Sequence, residues 1–159
     1  MSNYNLGKAN RLLFIFGLVK IPLIRFVRPK IIEFDADHIV VKIPLRRRNK
    51  NHLKSMYFGA FAIGADLAAG FLAFWLFQEK KLKASFAFKS FNSEFLRRAM
   101  HDVYFECHAG SAILEAVNEA QEKSERINKM VNVDAYCYEN GEKVKVAEME
   151  IEASIKVKT

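Results

Sequence analysis

Apolar and polar positions alternate through most of this chain, and one long stretch departs from that rhythm. From Ser55 to Phe77 the residues are almost all apolar, with a single carboxylate, Asp66, near the middle. Apart from Leu53, the residues from Arg46 to Lys54 are polar. A helix that is apolar on every side has to be enclosed. Three glycines (Gly59, Gly64 and Gly70) and several alanines would let a sheet wrap closely against it. A charge inside such a helix is costly unless it is paired or protonated, so what Asp66 faces becomes the central question.

Elsewhere the pattern predicts strands. Ile31, Ile32 and Phe34 lead into the turn Asp35-Ala36-Asp37-His38, and Ile39 to Leu45 returns as a β-branched run, so Lys30 to Leu45 reads as a hairpin. Pro44 marks an edge or a strand end. Phe86 and Phe88 alternate in a strand ending near Asn92, with Phe95 to Ala99 as its extension. Val103, Phe105 and Cys107 alternate in the next. Gly110 and Ser111 open a short helix with Ile113, Leu114, Ala116, Val117 and Ala120 on its apolar side. Met130 to Tyr138 is a strand, Asn140-Gly141 a hairpin turn, and Lys143 to Lys158 a closing strand. In that last strand Val144 and Val146 share one parity, while Ala147, Met149, Ile151, Ala153, Ile155 and Val157 share the other. A β-bulge near Val146–Ala147 would repair the register.

Upstream, Arg11 to Val27 is apolar but carries Lys20, Pro22 and Arg25 and has no small-residue cleavage site. It reads as a helix lying on the domain, not a signal peptide. Its basic, amphipathic character also suits a membrane surface. The expected architecture is α+β: a curved antiparallel sheet wrapped around one long apolar central helix, with an extra N-terminal helix. That is the hotdog arrangement. Residues 1–29 form the N-terminal helical segment and 30–159 a single hotdog domain.

Composition narrows the function classes. A chain of 159 residues suits one domain with a real core. Cys107 and Cys137 are too few for a disulfide framework and fit a reducing, cytoplasmic setting. His38, His52, His101 and His108 show no zinc-ligand spacing with either cysteine, so no metal is expected. Cys107 and His108 should point to opposite faces of their strand. Ser55 to Phe77 is long enough to span a bilayer. Asp66, the glycines and the lack of a second span argue against that reading. The net charge is +7, with clusters at Arg46–Arg48 with Lys50 and Lys54, at Lys80, Lys81 and Lys83, and at Arg97–Arg98. Without interleaved exposed aromatics or a recognition helix, nucleic acid is not the expected partner. A phosphate-bearing small ligand such as coenzyme A would use fewer of the same residues.

The stretch Asn51 to Asp66 resembles the helix-start motif of the phenylacetyl-CoA-thioesterase-like hotdog proteins. Asn51 stands at the family's Asn position, Tyr57-Phe58-Gly59 replaces His-Gly-Gly, and Asp66 falls on the catalytic acid. Phe95-Leu96-Arg97-Arg98-Ala99 with Asp102-Val103 looks like the family's strand-turn-strand segment, where a Pro usually sits at the position of Arg98. An uncharacterised bacterial hotdog branch is closer still, through Ile43-Pro44-Leu45-Arg46 and Asn49 to Gly59. The resemblance spans roughly Ile31 to Val157 by motif and order of elements. Tyr57 and Phe58 are bulkier than His and Gly and would narrow or reshape the site.

The resemblance implies an acyl-CoA thioesterase. Asp66 would be general base or nucleophile, the backbone N–H groups of Phe58 and Gly59 would polarise the carbonyl, and Asn51 would orient water or substrate. His52 joins the catalytic candidates. Tyr57, Phe58, Ser90, Asn92, Arg97 and Arg98 are the substrate-binding candidates. No cofactor is implied; the coenzyme A thioester, or another acyl thioester, is the substrate. The site of this fold usually lies between subunits, so a homodimer or dimer of dimers is implied. Two alternatives stand beside this one. His52 with Asp66 also resembles the β-hydroxyacyl thioester dehydratases of the same fold, although their Pro-Gly helix start is absent. A non-catalytic acyl- or CoA-binding hotdog is the other, because Tyr57 and Phe58 depart from the motif.

Overall fold

The computed structural model describes residues 4–157. Two N-terminal helices, α1 (Leu6–Val19) and α2 (Pro22–Val27), precede a hairpin of β1 (Lys30–Phe34) and β2 (His38–Ile43). The apolar segment follows as α3 (Phe58–Glu79). Then come β3 (Ala84–Phe95), β4 (Val103–His108), α4 (Gly110–Lys123), β5 (Ile127–Glu139) and β6 (Glu142–Val157). All six strands pair antiparallel in the order β1-β2-β4-β5-β6-β3. The sheet curls around α3, and this is the expected hotdog. Lys158, expected at the end of the closing strand, lies outside the described residues.

The expected single N-terminal helix is two. The chain breaks at Lys20–Ile21 because Pro22 restricts the residue before it, and Ile21 is non-helical (φ −134°, ψ 87°). Pro22 then starts α2, where its missing N–H has no helical partner to lose. Ala9, Leu13, Ile24 and Val27 are buried in the same core as the sheet and α3.

α3 is wrapped tightly, as its small residues predict. A Cβ added at Gly64 would lie 2.3 Å from the Phe105 ring, so only glycine admits that strand so close. The helix starts at Phe58, three residues into the apolar run. Met56 is held in extended structure: it bridges Lys50, and its N–H donates to the Ala99 carbonyl at 2.9 Å. Directly after Asp66 the winding widens to a π-helical stretch, Leu67–Phe71, before returning to α.

Two bulges set which side chains face α3. In β6 Val146 is the extra residue: Ala135 pairs with Ala147 and Tyr136 with Lys145, which is the expected register repair. In β3 the extra residue is Lys89, between Phe88 (opposite Ala153) and Ser90 (opposite Glu152). The two sheet edges differ. The outer edge of β1 is occupied: the Asn10 amide donates to the Ile31 carbonyl at 2.8 Å and accepts from the Ile31 N–H at 2.9 Å, and the Tyr4 N–H donates to the Phe34 carbonyl at 2.9 Å. Among the described residues β3 pairs with β6 alone, which leaves its other edge open.

Candidate active site

Asp66 does not face the sheet. Along α3 the residues at Gly59, Ala62, Ile63, Asp66, Gly70 and Phe74 are half-buried or exposed, while the intervening positions are buried. These positions are three or four residues apart and form one stripe. Asp66 lies midway along it and opens into a cavity of about 210 Å³ between α1–α2 and β3. Its walls include Leu12, Phe16, Ile24, Phe74, Phe86 and Phe88, and Asp66 is the sole ionisable side chain lining it. Gly70 keeps room beside the carboxylate, since a Cβ there would lie 3.3 Å from Asp66 Oδ1. Burial among apolar groups pushes the Asp66 pKa up from the ordinary 3.8, and among the described residues neither hydrogen bond nor counter-ion opposes it. The carboxyl is therefore no cap or structural ion pair. Its seat at an α-to-π junction fits the frequent occurrence of such bulges at functional sites.

The helix-start residues form a second hollow. Asn51, His52, Tyr57, Phe58, Arg97 and Arg98 line an open groove of about 500 Å³ together with Phe61 and Phe95. The structure thus brings together six of the sequence-predicted residues. Gly59 begins the same helix beneath Tyr57, whose ring would meet a Cβ on Gly59 at 2.6 Å. The N–H groups of Phe58 and Gly59 lie in the first turn, where an α-helix offers them no acceptor. Asn51 is occupied by its own turn: its Oδ1 accepts from the Leu53 N–H at 2.9 Å and the Ser55 N–H at 3.2 Å, and its Nδ2 donates to Ser55 Oγ at 3.0 Å. His52 is exposed. Arg97 lies 3.7 Å from Glu139.

Asp66 and this groove do not share a cavity within one chain. Gly59 and Asp66 are seven residues apart, which returns to the same side of a helix but roughly 10 Å further along. His52 and Asp66 are likewise in separate hollows.

Ser90 and Asn92 are elsewhere. Ser90 sits opposite Glu152, with its hydroxyl 3.4 Å from that carboxylate, and Asn92 opposite Glu150. Their β6 partners alternate with the buried Met149, Ile151 and Ala153, so both face away from α3. The physical reason is Lys89. Phe86, Phe88, Ser90 and Asn92 share a parity in sequence, and one extra residue reverses it.

Among the described residues, one group of metal-ligating donors is not apparent from the sequence. His38, Glu106 and His108 hold donor atoms within 4.8 Å of one another. The two imidazoles stack at 4.1 Å across β2 and β4, and Lys143 holds Glu106 at 2.6 Å. The signal for it is cross-strand register, His38 opposite His108, which linear spacing does not reveal. Cys107 points to the other face and is buried, as expected.

Residues 9–155 match the family described as Domain of unknown function (DUF4442). The chain belongs to this family. No curated protein matches it. Among solved structures, a Pseudomonas aeruginosa protein described as a "probable thioesterase" is 21% identical with a TM-score of 0.78, covering 98% of this chain and 97% of that one. A thioesterase family protein from Silicibacter pomeroyi is 16% identical with a TM-score of 0.69, covering 97% and 100%. A thioesterase from Haemophilus influenzae is 12% identical with a TM-score of 0.66, covering 98% and 93%. At these identities the likeness is one of fold: the DUF4442 chain is a hotdog, the fold of those thioesterases.

Proposed function

We propose that the protein hydrolyses acyl thioesters, with Asp66 as the reacting carboxylate and coenzyme A thioesters as substrates. The observation that carries this is the lone Asp66 carboxyl, unpaired in an otherwise apolar cavity. An apolar cavity of about 150 Å³ can hold benzene, so a space of about 210 Å³ has room for an aryl or short acyl group. Acting as base, Asp66 takes a proton from water, the hydroxide adds to the carbonyl carbon, and the thiolate leaves. Acting as nucleophile, it forms a mixed anhydride with loss of thiolate, and water then hydrolyses that anhydride. Burial raises the basicity of the carboxylate in the first route.

The carbonyl oxygen needs donors, and the free N–H groups of Phe58 and Gly59 at the helix start are suited to it. Because they lie about two turns from Asp66 of their own chain, the protein acts as a homodimer in which one subunit's helix start meets the other's Asp66. Tyr57 and Phe58 contact the acyl thioester, and Arg97 and Arg98 bind the phosphates of coenzyme A at the groove. Both cysteines are free thiols, which supports a reducing, cytoplasmic setting.

The test is a panel of aryl, short-chain and long-chain acyl-CoA thioesters assayed for free thiol. Asp66→Asn should lower turnover at least about a hundredfold, the scale of a lost general base, with coenzyme A affinity retained. Equal thiol release by the parent and the Asp66→Asn protein would assign the chemistry elsewhere.

A further inference from the structure

The outer face of α1–α2 is rich in exposed apolar side chains. Phe14, Ile15, Leu18, Val19, Leu23 and Phe26 are exposed there, Val19 at 66%, Leu23 at 57% and Leu18 at 48%. They sit within thirteen residues, so they form one patch and not scattered surface leucines. Charge along this segment has one sign. Residues 1–32 contain six lysines and arginines and no acid.

The cations are built into the patch. A groove between the two helices is rimmed by Arg25, Arg28 and Arg48 and floored by Leu13, Phe14 and Phe26. Arg25 lies over the Phe14 ring at 5.3 Å, and Arg48 lies over Phe26 at 5.1 Å while donating to its carbonyl at 3.0 Å. None of these three arginines has an ion-pair partner among the described residues.

We infer that the α1–α2 hairpin docks on the surface of an anionic lipid bilayer. Apolar side chains beside unneutralised cations match an acyl layer beneath a negative headgroup layer. A second copy fits poorly, because a twofold contact through this face would set the same arginines against themselves. The inner face of the hairpin is already used: Leu12, Phe16, Ile21 and Ile24 wall the Asp66 cavity. Docking would bring lipid to within about one helix diameter, roughly 10 Å, of that cavity. The inference stands apart from the proposed reaction, since its test reads binding and not turnover.

The experiment is flotation of the full chain with vesicles of phosphatidylcholine alone and with one-third phosphatidylglycerol. The parent should float at least tenfold better with the anionic vesicles, and added salt should reduce this. Leu18→Ser/Val19→Ser/Leu23→Ser should abolish flotation while circular dichroism and melting stay unchanged, because all three side chains are exposed. Arg25→Gln/Arg28→Gln should lose the preference for anionic lipid. A parent that fails to float with either vesicle, or a triple-Ser variant that floats as well as the parent, overturns the inference. So does a triple variant that changes oligomeric mass but keeps its vesicle binding, which would assign the face to a second copy.

Discussion

At Asp66 a single desolvated carboxyl bears on stability and, in the proposed reaction, on reactivity. Its pKa lies above the ordinary 3.8, raised by burial. Between the unfolded and folded values the native state holds more protons than the unfolded state. Native stability therefore falls as pH rises through that window and stays at the lower level above it. Asp66→Asn removes the charge, so its melting temperature should exceed the parent's at pH 7, and the gap should close as pH approaches 4. Melting both proteins from pH 4 to 8 checks this; a gap of constant size would mean that Asp66 is not titrating in a desolvated cavity. The chain advertises this residue openly, because a lone acid in an apolar run has few ordinary explanations. Ser90 and Asn92 were not legible in the same way. Their parity with Phe86 and Phe88 is correct in sequence and reversed in space by Lys89, and a bulge in an edge strand leaves little trace in residue type.

At the scale of elements, α3 and the strands around it fit by absence of side-chain volume. Gly64 lets the Phe105 ring pack where a Cβ would stand 2.3 Å away. Gly64→Val should cost about 1–3 kcal/mol, the range for overpacking a filled core, read as a lower urea midpoint at unchanged slope. A midpoint equal to the parent's would mean that the sheet does not wrap α3 as closely as described. Much of this layer was readable: the enclosed helix, the hairpins, and the Val146 bulge, which the phase change between Val146 and Ala147 announces. The break between α1 and α2 was less so. Pro22 is plain in the sequence, but the apolar run continues through it and conceals the stop. Nor does linear spacing predict that Asp66 and Asn51 face different hollows, since that depends on how α1–α2 and β3 close over the helix.

On the scale of the whole molecule, the two sheet edges differ in what they offer another chain. Asn10 and Tyr4 supply partners to the backbone of β1, whereas the twelve-residue β3 leaves one edge open. Phe91 and Phe95 lie on that strand, exposed at 44% and 49%, and they continue the face that packs on α3. Lys89, which could guard the edge, is instead turned across the sheet to Glu152 at 3.2 Å. An open strand with apolar side chains is a template for another strand. Antiparallel pairing of two β3 strands about a twofold axis would satisfy both edges at once and set each subunit's helix start beside the other's stripe of Asp66. We therefore expect a species of twice 18.3 kDa in sedimentation at micromolar concentration. Phe91→Glu should shift it towards 18.3 kDa, because it would bury a carboxylate at the shared edge. The same variant carries the stronger test. If the reacting carboxyl and the polarising amides come from different subunits, dissociation should remove turnover about as completely as Asp66→Asn does, although every residue of the Asp66 cavity is retained. A monomer that still releases thiol at the parental rate would show that one chain holds the whole site, and the division of labour between subunits would have to be abandoned.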